Sequence, residues 1–300
     1  MQLSFNTARP ETGSVITVAP GIRRLVAPNT GPFTFTGTCT YLLGDQDLVV
    51  IDPGPESDDH LLRLLAEIGD ARVAGILVTH THRDHSPLAR ALKARTGASI
   101  FGCAPHRPSR ALRLGEVNPL ESSGDTAHQP DRALAHGERV SLGEWDFEIL
   151  ATPGHTANHL GFALPSGVVF SGDHIMAWST TIVAPPDGAM GPYLASLELM
   201  ASRESDQIYF PGHGGPVSEP QRFARAIYQH RRHRENQIME RLSAGPLSVM
   251  QLVEANYPAL DERLKGAAAL SVFAHLEDLV DRAVVLASPM LAIDAMFERA

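Results

Sequence analysis

The stretch His80-Thr81-His82-Arg83-Asp84-His85 is the most informative part of this chain, because it places three imidazoles and a carboxylate in one short segment. Directly before it lies an apolar run, Val73-Ala74-Gly75-Ile76-Leu77-Val78, which is typical of a buried strand. We therefore expect the four polar side chains on the loop at the end of that strand, where functional residues are common. Histidine and aspartate at this density are typical ligands of divalent metal ions.

The composition is that of an ordinary globular chain. It has 300 residues, 43% apolar and 20% charged, which excludes disordered and fibrous classes. Its net charge of -9 argues against a surface built for polyanions. No apolar run approaches the roughly 20 residues that span a bilayer, and Met1 to Asn6 lack a leader pattern, so we expect no membrane contact and a cytoplasmic location. Cys39 and Cys103 are too few for a disulfide framework and are expected to be buried.

Strands alternate with helices through the first two thirds of the chain, which predicts the α/β class. Helices are expected over Asp58–Glu67 and Pro87–Arg95. Three further strands each run into a glycine and a metal-type side chain: Trp145–Leu150 before His155, Gly167–Phe170 before Asp173, and Gln207–Phe210 before His213. These strand ends are expected to lie on the same rim as His80.

The composition changes to helical beyond Pro220, and we place a domain boundary there, giving domains 1–219 and 220–300. Helices are predicted over Arg222–Leu242, Ser248–Ala255 and Lys265–Val280, followed by a hairpin of Ala283–Leu286 and Met290–Ile293. Three helices and a hairpin are the outline of a winged helix.

Two adjacent metal sites are the expected arrangement. His80 and His82 point the same way on an extended segment, so they can close on one metal while Asp84 and His85 turn toward a second. Imidazole and carboxylate together favour zinc, with manganese or iron as alternatives. Closed structural sites usually use cysteine, and none stands in this stretch, which favours an open catalytic site.

The chain resembles the metallo-β-lactamase fold superfamily in four motifs that occur in the family's order. They are His80-Thr81-His82-Arg83-Asp84-His85, Thr152-Pro153-Gly154-His155-Thr156, Gly172-Asp173 and Pro211-Gly212-His213-Gly214. The resemblance implies a four-layer αββα sandwich with two metals at one edge of the sheets. It implies that one metal is held by His80, His82 and His155, the other by Asp84, His85 and His213, with Asp173 bridging them and Asp52 orienting a ligand histidine.

The C-terminal part narrows this resemblance to the β-lactamase-like protein 2 branch, which carries a winged helix. The matching segments are Ile227–Arg231, Ser248–Val253 and Ala274–Glu277. Cys39 departs from the branch, since relatives often carry asparagine there.

The predicted activity is that of a dinuclear hydrolase in which a hydroxide bridging the metals attacks the substrate. Asp84 and Asp173 are the predicted catalytic carboxylates, and His174, next to Asp173, is the candidate proton donor to the leaving group. No Gly-x-Ser-x-Gly motif offers a competing serine nucleophile.

Substrate remains open among several classes. The first hypothesis is a small ester-type bond, such as a thioester or lactone, and the second, implied by the branch, is single-stranded RNA. Six arginines against Glu235 and Glu240 between Arg222 and Arg241 are compatible with RNA or with a solvated helix face. A DNA-binding regulator is disfavoured, because Glu277, Asp278 and Asp281 on the expected reading helix would repel duplex DNA. A structural or homodimer-forming role is preferred for the small domain.

Overall fold

Two β-sheets pack face to face in the first part of the chain, in a computed structural model that describes residues 5–300. Of the N-terminal stretch considered above, Met1–Ser4 lie outside the described residues. The first sheet has seven strands in sequence order, antiparallel from β1 to β4 and parallel from β4 to β7. They are β1 (Val15–Ala19), β2 (Ile22–Val26), β3 (Cys39–Leu43), β4 (Asp47–Ile51), β5 (Arg72–Val78), β6 (Ile100–Gly102) and β7 (Arg132–Ala133).

The second sheet has five strands in the order β12-β11-β10-β9-β8. They are β8 (Arg139–Leu142), β9 (Trp145–Ala151), β10 (Leu160–Ala163), β11 (Val168–Gly172) and β12 (Ile208–Pro211). The β11–β12 pair is parallel, because the chain crosses over between them through a helix, and the other pairs are antiparallel.

Within residues 5–300, six α-helices complete the fold: α1 (Asp58–Ile68), α2 (Leu88–Thr96), α3 (Met190–Ser202), α4 (Pro220–Leu242), α5 (Val249–Asn256) and α6 (Glu262–Asp281). None of the helices in the described part of the chain has the length and apolar character needed to cross a membrane. Ser57 caps α1 by accepting a hydrogen bond from the His60 amide, and Ser248 with Gln251 forms a capping box on α5.

Both faces of the second sheet are covered, as the burial of consecutive residues shows. Ile149 and Phe170 belong to the core shared with the first sheet, α1 and α2, whereas their neighbours Leu150 and Val169 belong to a second core with α3 and α4. Side chains alternate across a strand, so the sheet must have one core on each side. This is the predicted αββα sandwich.

The C-terminal part forms a third core of its own from α5, α6, the end of α4 and a small sheet. That sheet contains β13 (Leu247–Ser248), β14 (Val285–Ser288) and β15 (Met296–Arg299), in the order β13-β15-β14. The helices and the hairpin together confirm the predicted winged helix.

One strand of the predicted hairpin was placed wrongly. The segment Met290–Ile293 lies in the connection, and β15 begins at Met296 instead. The reason is Phe297, which is completely buried and packs edge-on against Phe273 with ring centroids 6.4 Å apart. Burying this large aromatic ring outweighs burying Met290 or Ile293, which are left 59% and 45% exposed.

Helix α6 of the winged helix is fastened to the first domain through buried charges. The Glu277 carboxylate accepts hydrogen bonds from Arg110, at 2.6 Å from Nη2, and from Arg113. Both arginines belong to the long loop between β6 and β7. Only 8% of Glu277 is exposed, so its charge depends on these two partners.

We expect Glu277→Ala to lower the free energy of unfolding by about 1–2 kcal/mol, because it leaves the partly buried guanidinium of Arg113 without its carboxylate and Arg110 with Glu116 alone. Urea denaturation followed by circular dichroism measures the change. Glu262→Ala is the matched control on the same helix, since its 82% exposed side chain forms a surface pair with Lys265 and its loss should change stability by less than about 0.5 kcal/mol. Equal effects of the two substitutions would contradict a special role for Glu277.

Candidate metal centre

Strand ends from both sheets meet at one edge of the sandwich. The first sheet delivers Asp52 after β4 and the His80–His85 segment after β5; the second delivers His155, Asp173 and His213 after β9, β11 and β12. Backbone hydrogen bonds join the sheets here, since the Leu160 amide donates to the Thr79 carbonyl at 2.8 Å and the Cys39 amide to Gly212 at 2.7 Å. All seven predicted ligands are therefore on one rim.

One group of ligand atoms comes from three histidines. His82 Nδ1 lies 3.1 Å from His80 Nε2 and 3.0 Å from His155 Nε2. A tetrahedral zinc site with Zn–N distances of 2.0–2.1 Å separates its ligand atoms by about 3.3 Å, so the spacing suits a metal ion.

A second group lies beside the first. His85 Nε2 and His213 Nε2 are 3.3 Å apart, and Asp84 Oδ2 is 3.4 Å from the former and 3.1 Å from the latter. Asp173 stands between the two groups, with Oδ2 3.7 Å from His155 Nε2 and 3.3 Å from His213 Nε2. The cluster can bind metal ions, since each group offers three ligand atoms within 4.8 Å of one another.

The outer nitrogens of the histidines establish which tautomer each ring adopts. His85 Nδ1 lies 2.9 Å from Asp52 Oδ2, His155 Nδ1 2.7 Å from the Ile182 carbonyl, and His213 Nδ1 3.2 Å from the Gly37 carbonyl. Each of these partners only accepts hydrogen bonds, so each Nδ1 must carry the hydrogen. In a neutral ring with its hydrogen on Nδ1, the Nε2 atom that faces the cluster carries a lone pair, as metal ligation requires.

Asp52 supports two ligands at once. Its Oδ2 also accepts from the Thr79 hydroxyl at 2.7 Å, and that hydroxyl lies 3.0 Å from His80 Nδ1. Because Thr79 donates to Asp52, it can accept from His80, which directs the His80 Nε2 lone pair inward as well. Asp52 adopts a φ of 47°, an uncommon conformation for a residue with a side chain, which is held here by the Thr79 amide donating to Oδ1 at 2.8 Å.

The charges of the site divide it into two halves. Burial lowers the pKa of His82 to about 3 and also lowers the pKa of His155, which keeps these rings neutral. Burial opposes charge on His213 too, but Asp173 and Asp84 raise its pKa to about 10. The half of the site that contains Asp84 and Asp173 therefore favours a positive charge between these carboxylates. Asp173 Oδ1 is buried and has no hydrogen-bond partner among the described residues, which leaves it free to contact a cation.

Glycine at 212 is required by this close packing. A Cβ atom at that position would lie 2.3 Å from Asp173 Oδ1 and 2.6 Å from the His85 ring. Any side chain there would displace two of the predicted ligands, which explains the glycine before His213.

The cluster forms the floor of a cavity of about 520 Å³. Apolar walls come from Phe33, Leu120, Met176, Ile182 and Leu270. Leu270 and its neighbour Ala267 belong to α6, so the winged helix closes one side of the cavity. The volume suits a small-molecule substrate.

His174 lies away from this cavity, contrary to the role predicted for it. Its side chain is buried, its ring packs at 5.0 Å from the Tyr193 ring, and neither ring nitrogen has a hydrogen-bond partner among the described residues. Burial lowers its pKa to about 3, so the ring is neutral at neutral pH and holds no imidazolium proton to donate. This position suits a packed loop histidine and does not suit a proton donor.

Several supporting residues escaped the sequence analysis. The Thr38 hydroxyl lies 3.3 Å from Asp84 Oδ2 and 2.9 Å from the Asn29 amide nitrogen. His159 Nε2 accepts from the Asp173 amide at 3.1 Å. Only Thr79, directly before His80, had a position in the sequence that could have suggested such a role.

The fold and the cluster define a metal-dependent hydrolase of known architecture. The metallo-β-lactamase superfamily profile matches residues 33–213, and the β-lactamase associated winged helix domain profile matches residues 248–288. The chain belongs to the metallo-β-lactamase superfamily.

Two curated relatives and one solved structure cover most of the chain. A β-lactamase-like protein 2 homologue of Drosophila melanogaster is 30% identical over 280 residues, covering 89% of this chain and 90% of the relative. An atrochrysone carboxyl ACP thioesterase of Aspergillus chevalieri is 26% identical, covering 84% and 78%. A β-lactamase domain protein of Burkholderia ambifaria superposes with a TM-score of 0.79 at 22% identity, covering 98% and 95%. The first relative confirms the branch predicted from the sequence.

We expect Asp52→Asn to weaken metal binding about 10–100-fold, because it removes the charge that orients His85 and, through Thr79, His80. Competition with a chromogenic chelator measures the affinity. Asp206→Asn is the matched control, since Asp206 is an equally buried carboxylate that pairs with Arg203 and Tyr209 instead. Metal affinity unchanged in Asp52→Asn would contradict the orienting role.

Proposed function

We propose that the protein is a dinuclear metal hydrolase of ester-type bonds, and that thioesters are its main class of substrate. The observation that carries this proposal is the position of the two ligand groups, joined by Asp173, on the floor of a largely apolar cavity. The imidazole and carboxylate ligands favour zinc, with manganese or iron as alternatives.

Two such cations, when bound, supply a water of lowered pKa and polarise the substrate carbonyl. The side chains of the protein would hold these cations and orient the water. His80, His82 and His155 would hold one cation, Asp84, His85 and His213 the other, and Asp173 would contact both. No serine or cysteine nucleophile is needed.

Asp84 is the carboxylate best placed to orient the attacking water. It lines the cavity, and 23% of its side chain is exposed, compared with 8% for Asp173. Thr38 and Asn29 hold it in place through the hydrogen bonds described above. A carboxylate in this position can accept a proton from the water as its oxygen approaches the substrate.

The reaction adds water to the carbonyl carbon and breaks the carbon–sulfur bond. The water oxygen forms the new bond to carbon, the electron pair of the broken bond leaves with sulfur, and one water proton ends on the thiol. The products are a carboxylic acid and a thiol, so no oxidant or reductant takes part. An oxygen ester or lactone reacts in the same way with an alcohol as the leaving group.

The lining of the cavity favours an ester over RNA. Within the described residues, Arg83 is the one arginine or lysine that lines it, and its Nε already donates to the Gly124 carbonyl at 3.2 Å. A channel for single-stranded RNA needs a row of available cations and aromatic platforms. The name of the Aspergillus chevalieri relative, a thioesterase, also supports this choice.

The arginines of α4 add little to the RNA hypothesis, because each has a partner within the chain. The pairs are Arg222 with Glu219, Arg225 with the Ala201 carbonyl, Arg231 with the Thr181 carbonyl, Arg232 with Glu235, Arg234 with Gln237, and Arg241 with the Ala255 carbonyl. Helix α6 likewise buries Ala274 to Glu277, which leaves that part of the helix unable to enter a DNA groove.

The test incubates protein loaded with zinc, manganese or iron with N-acetylcysteamine thioesters, a lactone and labelled single-stranded RNA, each with and without chelator. We expect chelator-sensitive thioester hydrolysis. Asp84→Ala should lower kcat by about 10²–10³-fold, because it removes both a ligand and the orienting carboxylate.

Asp45→Ala is the control, since Asp45 is an exposed acid on the turn between β3 and β4 and should leave kcat unchanged. RNA cleavage without thioester or lactone hydrolysis would replace this proposal with the nuclease hypothesis. Activity that persists in Asp84→Ala would indicate a contaminating enzyme.

A further inference from the structure

A second cavity lies beside the metal centre and is not part of the site described so far. It has a volume of about 670 Å³ and lies between residues 113–119 of the long loop and residues 289–295 of the β14–β15 connection. Leu270 and Phe273 of α6 line it between these two segments. We call this cavity the apolar groove.

The residues of the apolar groove leave an unusual amount of apolar surface in contact with water. Leu114 is 96% exposed, Val117 78%, Met290 59% and Ile293 45%. Single exposed apolar side chains are ordinary, but four along one groove are the mark of a binding surface. The two segments that carry them come from different domains.

The charged residues of the apolar groove are paired. Arg113 binds Glu277, and Glu116 binds Arg110 at 2.6 Å, so neither offers a free charge to a ligand. Asp294 is the remaining charged residue among the lining residues of the described chain. A phosphate or a nucleic acid would find no available cation here, whereas a neutral hydrocarbon would find an apolar surface to cover.

The apolar groove and the metal cavity are neighbours that share one lining residue. Leu270 lines both cavities, and Ala267, one turn earlier on α6, lines the metal cavity alone. A ligand whose reacting carbonyl lies at the metal centre can therefore extend past Leu270 into the apolar groove without leaving the protein surface.

We propose that the apolar groove binds the acyl arm of the substrate, so that the enzyme prefers thioesters of medium or long hydrocarbon acids. This inference rests on the proposed function, because it takes the substrate to be a thioester. It assigns the acyl arm of that thioester, and not the thiol arm, to the apolar groove. The acyl arm is apolar in this class, while coenzyme A and the pantetheine arm of acyl carrier proteins bear phosphates and glutathione bears carboxylates, which the paired charges would not attract. The winged helix then acts as a substrate-binding element, and Leu270 lies where the hydrocarbon chain would pass from the metal cavity into the apolar groove.

The first experiment compares kcat/KM for acetyl, butyryl, octanoyl and dodecanoyl N-acetylcysteamine thioesters on the metal-loaded full chain. We expect kcat/KM to rise with chain length, by roughly tenfold or more from acetyl to octanoyl, because each added methylene is removed from water. Hydrolysis that is independent of chain length, or fastest for acetyl, would overturn the inference while leaving the proposed function intact.

The second experiment places a charge in the apolar groove. Ile293→Asp and Val117→Asp should each lower the octanoyl-to-acetyl ratio of kcat/KM by roughly fivefold or more, because a carboxylate beside the hydrocarbon must lose water. Leu62→Asp is the matched control, a leucine 62% exposed on α1, and should leave the ratio unchanged. The inference would be overturned if the octanoyl-to-acetyl ratio of kcat/KM fell in Leu62→Asp alone, or by the same factor in all three variants.

A binding measurement separates failure of the inference from failure of the proposed function. S-octyl-N-acetylcysteamine, a thioether that cannot be hydrolysed, is titrated into wild type and Ile293→Asp by calorimetry. Weaker binding to the variant supports the apolar groove even if no thioester is cleaved, and equal binding overturns it. Sedimentation completes the test, since a wild-type dimer that Ile293→Asp dissociates would make the apolar groove a subunit interface instead.

Discussion

The convergence of bare lone pairs at one sheet edge is the constraint on which the rest of the structure depends. Five histidine nitrogens and the oxygens of Asp84 and Asp173 lie close together, and in neutral rings the nitrogens present lone pairs to one another. Such groups repel unless a cation lies among them, so the scaffold must hold them in place. Two cores and the Asp52–Thr79 link supply that rigidity.

The arrangement also explains why the ligands come from strand ends. Strands β5, β9, β11 and β12 are mostly buried toward the ends that carry the ligands, which fixes where those ends leave the sheets. Each ligand histidine then needs only one outer hydrogen bond to set its ring, and backbone carbonyls such as those of Ile182 and Gly37 are sufficient. Precision in this site is a property of the sheets more than of the loops.

Sequence reasoning identified the ligand residues because each follows a recognisable strand and lies in a compact motif. The winged helix was predicted from its order of helices and hairpin, whereas the αββα sandwich followed from the family resemblance that the motifs carry. It missed α3, whose start at Met190-Gly191-Pro192 has the composition of a turn, and β10, which is four residues long and contains Gly161. Those elements form because packing against the buried core stabilises them, and a local sequence pattern does not reveal tertiary packing.

The supporting contacts were beyond sequence reasoning for a different physical reason. Thr38 contacts Asp84 across 46 positions of the chain. The contact of His155 with Ile182 uses a backbone carbonyl, which every residue has, so the residue type at 182 does not predict it. The error over His174 has the same origin, because adjacency to Asp173 in sequence says nothing about which way a strand-end side chain turns. Leu270 and Ala267 likewise reach the cavity only through the docking of α6.

Helix α4 carries one more consequence. Ala224 and Ile227 on its first half belong to the core of the sandwich, while Ile238 and Leu242 on its second half belong to that of the winged helix. A domain boundary at Pro220 therefore assigns the whole of α4 to the winged helix, although the helix contributes to the cores of both domains. Neither half of the molecule can melt without exposing part of this shared helix to solvent, so heat should dismantle the two cores in a single cooperative transition.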